Sequence, residues 1–119
     1  MPLRPGQLET LRRRARKARA DSMRRHVLVC RGSDCDDDKT VSKAFKHAVA
    51  AEGLREQVTV SRVDCLDICR HGPVAVVYPE GTWYADLDPK RATKVVKRHL
   101  RDGRPDSGRS FLTNPLDRG

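Results

Sequence analysis

No stretch of this 119-residue chain approaches the ~20 consecutive apolar residues needed to cross a bilayer. The start of the chain has no apolar core of the kind a secretory signal carries. Its many arginines resemble a mitochondrial presequence, but Glu9 and Asp21 depart from that acid-poor class. The expected location is therefore the cytoplasm. Aromatic residues are scarce, with one Trp, two Tyr and two Phe, and 34% of the chain is charged, so the core must be small. The length favours one domain. There is no internal repeat, no nucleophile motif and no paired acid and base. "RGSDC" holds a lone glycine and is no phosphate cradle. A catalysed chemical step is not expected.

Charge of one sign is abundant but unevenly spread. Residues 1–26 hold nine Lys/Arg against two acids, and residues 27–119 hold sixteen against fourteen. A nearly neutral domain thus carries a basic arm, which weakens any whole-protein argument for nucleic-acid binding. The arm sequence "QLETLRRRARKARADSMRR", residues 7–25, repeats Leu8, Leu11, Ala15 and Ala18 at helical spacing with arginines between them. Its apolar stripe is thin. The arm (residues 1–25) is read as a solvated helix, a docking element for an acidic redox partner, or a contact for RNA or another polyanion through residues 4–25. Nucleic acid is the less favoured partner.

The domain proper is expected over 26–103. "HVLVC" reads as a buried strand. Val41, Ala44, Phe45, Ala48 and Val49 give one face of a helix from about Lys39 to Glu52, with Asp37 or Asp38 as its cap and Gly53 at its end. "VTVSRV" reads as a second strand. "PVAVVY" is continuous enough for a central strand covered on both faces. "YPEGTW" reads as a hairpin turn, with Pro79 at the first central position and Gly81 at positive φ, and "TWYA" returns as an antiparallel strand. Asp88 is a natural N-cap, Pro89 fits the first helical position, and Leu87 can staple against Ala92. Ala92, Val95, Val96 and Leu100 form the buried stripe of that helix, which Gly103 ends. Residues 104–119 have no period and read as a tail. The order gives an α/β domain: a small mixed sheet of about four strands, two main helices, and the first two strands parallel.

The chain has only four cysteines, all at strand ends or in the loops that follow. Cys30 closes the first strand and Cys35 follows in a C-x4-C pair. Cys65 and Cys69 follow the second strand as C-x3-C. The carboxyl ends of parallel strands share one side of a sheet, so two loops bring two thiols each to one edge. In a reducing compartment such thiols more often serve metals or catalysis than structural disulfides. A [2Fe–2S] centre takes four thiolates, two for each iron. Structural zinc also takes four, though usually in tighter C-x2-C knuckles. A dithiol oxidoreductase wants C-x-x-C at a helix start. Cysteines with no role remain a fourth reading, disfavoured by their confinement to two loops.

"HVLVC", "VDCLDIC" and "HGPVAVVYPEGTWY" together, in this order, resemble the thioredoxin-like [2Fe–2S] ferredoxins over roughly residues 26–103. The resemblance implies a thioredoxin-like fold, a [2Fe–2S] cluster, one-electron transfer between redox partner proteins, and Cys30, Cys35, Cys65 and Cys69 as both metal ligands and cofactor-binding residues. It also implies a homodimer. The four-residue gap between Cys30 and Cys35 is shorter than in stand-alone members and is similar to that of the ferredoxin-like subunit of respiratory complex I. By analogy with thioredoxin-like folds, Pro73 is a candidate for a cis bond. A zinc-stabilised binding module with a basic arm, and an iron–sulfur carrier or sensor, stand as the alternatives.

Around an anionic cluster, Asp34, Asp36, Asp37 and Asp38 would hold the potential low, while Arg31, Arg70 and the helix start would oppose them. The aspartates are equally well explained as helix caps. His71 is expected beside the cluster and not as a ligand, because four cysteines suffice. Trp83 and Tyr84 are read as packing residues first and as an electron path second.

Overall fold

Two parallel strands set the frame. In chain order the elements are α1 (Pro5–Lys17), β1 (Arg25–Cys30), α2 (Thr40–Ala51), β2 (Val58–Val63), β3 (Ala75–Tyr78), β4 (Thr82–Tyr84), α3 (Pro89–Val95), a wider π-helical continuation (Val96–Arg101), and β5 (Ser110–Thr113). The structure, a computed structural model, describes residues 2–30, 39–64, 72–106, 108 and 110–115. The helix α2 carries the chain back so that β1 and β2 pair in parallel, from Arg25 opposite Val58 to Cys30 opposite Val63. The strand β3 pairs antiparallel with β1, and the β3–β4 hairpin extends the sheet, giving the order β2-β1-β3-β4-β5.

The pleat explains the core. Val27 faces Val77 and Val29 faces Ala75 across β1 and β3, so all four point to one side. There they meet Val41, Phe45, Ala48 and Val49 of α2 and the stripe Ala92, Val95, Val96 and Leu100. Leu28, Val76 and Trp83 stand in register on the other face. Val74 through Val77 are all buried, as a central strand requires.

The fifth strand is a correction. Residues 110–113 were expected within a structureless tail, yet they pair antiparallel with β4, Thr82 opposite Thr113 and Trp83 opposite Leu112. The driving contacts are long-range. The rings of Trp83 and Phe111 meet at 6.5 Å, and the Asn114 N–H donates to the Gly81 carbonyl at 2.8 Å. The hairpin turn also differs. The Gly81 N–H donates to the Val77 carbonyl at 2.8 Å, which encloses three residues and makes Pro79 the middle one, not the first of two. Gly81 has φ +68° as the turn demands. The Gly72–Pro73 and Tyr78–Pro79 peptides are both cis.

Helix ends are set by local hydrogen bonding. The end of α2 is a Schellman motif: Leu54 N–H donates to Val49 O at 2.9 Å and Gly53 N–H to Ala50 O at 3.1 Å, with Gly53 at φ +69°. Its start is not as expected. Lys39, at φ +66°, is the N-cap, while Asp37 and Asp38 lie outside the described residues. At α3 the Asp88 carboxylate accepts from Arg91 N–H at 2.7 Å, and Pro89 takes the first helical position. The arm helix α1 is shorter than its pattern suggests, ending at Lys17 and burying no residue. Leu11 is 48% exposed, so the stripe does not dock.

A buried polar network clamps the end of the domain away from Cys30. Tyr84 Oη accepts from Asp106 N–H at 2.9 Å and shares a hydrogen bond of 2.8 Å with His99 Nδ1. The Nε2 of the fully buried His99 faces Glu80 Oε1 at 3.4 Å. That contact is electrostatic, since Nε2 has no well-aligned acceptor among the described residues. Glu80 is held by Arg25 Nε at 2.6 Å. Burial pushes the Tyr84 hydroxyl up to about 12, the nearby Asp106 and Glu80 charges adding to it. Burial lowers the His99 pKa and outweighs the opposing pull of Glu80. Burial alone would raise Glu80, but the Arg25 hydrogen bond and charge bring it below its usual value.

Three outcomes are expected. Gly81→Ala places a methyl group against the Asn114 carbonyl at a positive φ. It should cost at least about 1 kcal/mol in urea unfolding and weaken the β4–β5 pairing. His99 binds a proton less readily folded than unfolded. Stability is therefore fully present above pH ~6.5 and falls as pH drops through and below that value, with a slope of up to about 1.4 kcal/mol per pH unit. Urea midpoints between pH 8 and 5 check this. Tyr84→Phe, which leaves both the Asp106 N–H and His99 Nδ1 without a partner, should cost about 1–3 kcal/mol at pH 7.5.

Candidate metal centre

The carboxyl edge of the sheet is where chemistry can assemble. Cys30 is the last residue of β1 and is 1% exposed. Its register partner on β2 is Val63, and its N–H donates to the Val74 carbonyl at 3.0 Å. Three segments thus become level at one edge: the end of β1, the end of β2, and the entry to β3. The fourth is α2. A helix joining two parallel strands must start where the first of them ends, so Thr40 lies on the same side. The turn at Pro73 is tied down as well, because its carbonyl accepts from Leu87 N–H at 3.1 Å.

Cys30 is the one sequence-expected ligand that lies among the described residues. Cys35, Cys65 and Cys69 lie outside them, as do Arg31, Asp34, Asp36, Arg70 and His71. The described flanks are informative. Residues 31–38 leave from Cys30 and rejoin at Lys39; residues 65–71 leave from Asp64 and rejoin at Gly72. Both departures and both returns are on the edge that Cys30 occupies. On the sheet face away from α2, His26 Nε2 pairs with Ser61 Oγ at 2.8 Å, and burial lowers the His26 pKa. Trp83 packs on Phe111 and Tyr84 is fully buried in the core, so both serve packing.

The comparisons with known proteins decide the family. The chain is 32% identical over 92 residues to a 2Fe–2S ferredoxin of Aquifex aeolicus, covering 83% of that protein and 68% of this chain. The thioredoxin-like [2Fe–2S] ferredoxin of Aquifex aeolicus, solved as a crystal structure, matches with a TM-score of 0.69 and 27% identity, over 98% of that chain and 76% of this one. This chain belongs to the thioredoxin-like [2Fe–2S] ferredoxins. A Priestia megaterium protein, provisionally described as a 2Fe–2S ferredoxin, is 39% identical over 80 residues. The match spans 62% of the Priestia protein and 66% of this chain. No family profile matches the chain.

Membership bears out the fold expected from the residues and turns the cysteine question toward iron. Ferredoxins of this family carry a [2Fe–2S] cluster, and the donor set here suits one. Thiolate sulfur is the ligand such clusters use, and Cys30 is shielded from water at the edge where both cysteine-bearing segments start and finish. No helix among the described residues is long and apolar enough to cross a membrane. The readings that stood beside the ferredoxin were zinc, dithiol exchange, cysteines with no role, and an iron–sulfur carrier or sensor. Neither pair has the C-x2-C spacing that zinc knuckles and dithiol exchange favour.

Proposed function

We infer that this chain is a one-electron carrier whose [2Fe–2S] cluster is held by Cys30, Cys35, Cys65 and Cys69, and that it catalyses no reaction of its own. The observation that carries this reading is the level register of Cys30 with Val63 and Val74. Cys65 is the second residue past Val63, and Cys69 is the third before Gly72. Cys35 precedes α2 by five residues. The cluster would supply one reversible electron. The chain supplies a dry anchor at Cys30, a rigid sheet that fixes the spacing of both segments, and the start of α2, whose helix dipole favours negative charge nearby.

Redox partner proteins dock transiently in this reading, and the protein acts in the cytoplasm, as a monomer or a homodimer. The exposed arm α1 offers a means of attraction. Arg12, Arg13, Arg14, Arg16 and Lys17 project from it, and Glu9, paired with Arg16 at 3.6 Å, is its one acid. Such a helix speeds association with an acidic partner and does so less at high salt.

Anaerobically purified protein should be reddish-brown, hold two iron and two sulfide per chain, bleach on dithionite, and give an EPR signal of a reduced [2Fe–2S] centre at low temperature. A colourless protein with one zinc per chain would overturn the assignment. Replacing any one of the four cysteines by alanine should abolish or strongly reduce cluster content, whereas Cys30→Ser, which keeps an anionic donor, should retain cluster with a shifted spectrum. Removing residues 2–17 should leave cluster content intact and flatten the salt dependence of partner reduction. An unchanged rate and salt slope would exclude docking through the arm.

A further inference from the structure

A cleft of ≈280 Å³ lies where the turn after α1 meets α2 and the beginning of β2. Arg19, Lys46, Arg55 and Thr59 line it with Val49 and Val58, and no carboxylate does among the described residues. Elsewhere on the domain arginines find acids: Arg25 with Glu80, Arg91 with Asp86, Arg98 with Asp106, Arg101 with Glu52. The three cations of the cleft make no ion pair among the described residues.

Arg19, which lines this cleft, has its Nε shielded from solvent and without a hydrogen-bond partner among the described residues. A guanidinium N–H can only donate. Leaving such groups buried and unmatched is costly, which is why folded proteins rarely do so. An acceptor in the cleft would satisfy that N–H, and the three cations that line the cleft favour an anion.

The backbone at Arg19 is a separate observation. The end of α1 is a Schellman motif, with Ala20 N–H donating to Ala15 O at 2.8 Å and Arg19 N–H to Arg16 O at 3.0 Å. Glycine suits the left-handed position of that motif, and α2 uses Gly53 there. The end of α1 instead holds Arg19 at φ +61°. A side chain kept where its absence would relieve strain points to work done by the side chain.

We propose that this cleft binds a tetrahedral oxyanion, a phosphate or the phosphoryl group of a small molecule. Its oxygens offer several acceptor positions to Arg19, Lys46 and Arg55, and a guanidinium beside phosphate makes charge-assisted bonds. The anion would bridge the arm to α2 and β2. The site uses Val58 to Val60, the amino end of β2, and is thus at the opposite end of the strand from Val63 and Cys30. It is independent of the cluster.

The test is thermal and urea unfolding of the full-length, cluster-loaded protein against inorganic phosphate, with chloride at matched ionic strength and pH as the reference. Phosphate should raise stability beyond chloride, the folding constant rising about tenfold for each tenfold in phosphate above its Kd. Arg19→Gly should be more stable than the parent protein in chloride and should lose the phosphate response. Arg55→Gln should fold and respond more weakly. An ADP response at tenfold lower concentration than phosphate assigns the group to a nucleotide, and an equal or weaker one assigns it to the free anion; either supports the site. No phosphate-specific rise, or an equal rise in Arg19→Gly, overturns it.

Discussion

Everything at the functional edge depends on the parallel pairing of β1 with β2. Because α2 returns the chain, the two strands end level, Cys30 beside Val63. Because β3 runs the other way, it begins where they end, with Val74 hydrogen-bonded to Cys30. A single sheet register therefore gathers four chain crossings onto one side. No long side chain or extra domain is needed to bring Cys30, Lys39, Asp64 and Gly72, the described flanks of the two cysteine-bearing segments, to that side. The apolar face beneath, from Val27 to Phe45 and Val95, keeps that register from slipping, since a one-residue shift would turn Val27 and Val29 out of the core.

The polar clamp at the other end has a different task. Tyr84, His99, Glu80 and Arg25 come from β4, the π-helical segment, the β3–β4 turn and the first residue of β1. Their bonds tie the hairpin and the last helix to the strand that presents Cys30. Among the described residues the network makes no hydrogen bond to Cys30, Lys39, Asp64 or Gly72, so it stiffens that edge from a distance. Small reorganisation on electron transfer is what such rigidity provides.

Much of this was readable in the residues, and the exceptions have physical causes. Periodicity found α2 and α3, because an apolar stripe is a local signal. Asp88 and Gly53 marked their boundaries and Gly81 the hairpin turn, because capping and positive φ demand particular residue types. Cys30 at the close of an apolar run marked the end of β1. By contrast, β5 has four residues, and what holds it is a ring contact with Trp83 and a bond to Gly81. Neither leaves a trace in local sequence. His99 was passed over because a histidine breaks a hydrophobic stripe, yet its place between Val96 and Leu100 was the available sign of burial. The end of α1 was overrun because its left-handed residue is an arginine and not the glycine that would have announced it.

The last strand also acts as a stopper. Until residues 110–115 are in place, β4 presents Trp83 on an open sheet edge, a ready template for another chain of the same kind. The strand β5 replaces that edge with one only four residues long, closed by Asn114 and Pro115, which cannot extend the ladder. A polypeptide shortened by a dozen residues would keep every cysteine and the whole core around Phe45, and would still be the form most prone to stick to itself.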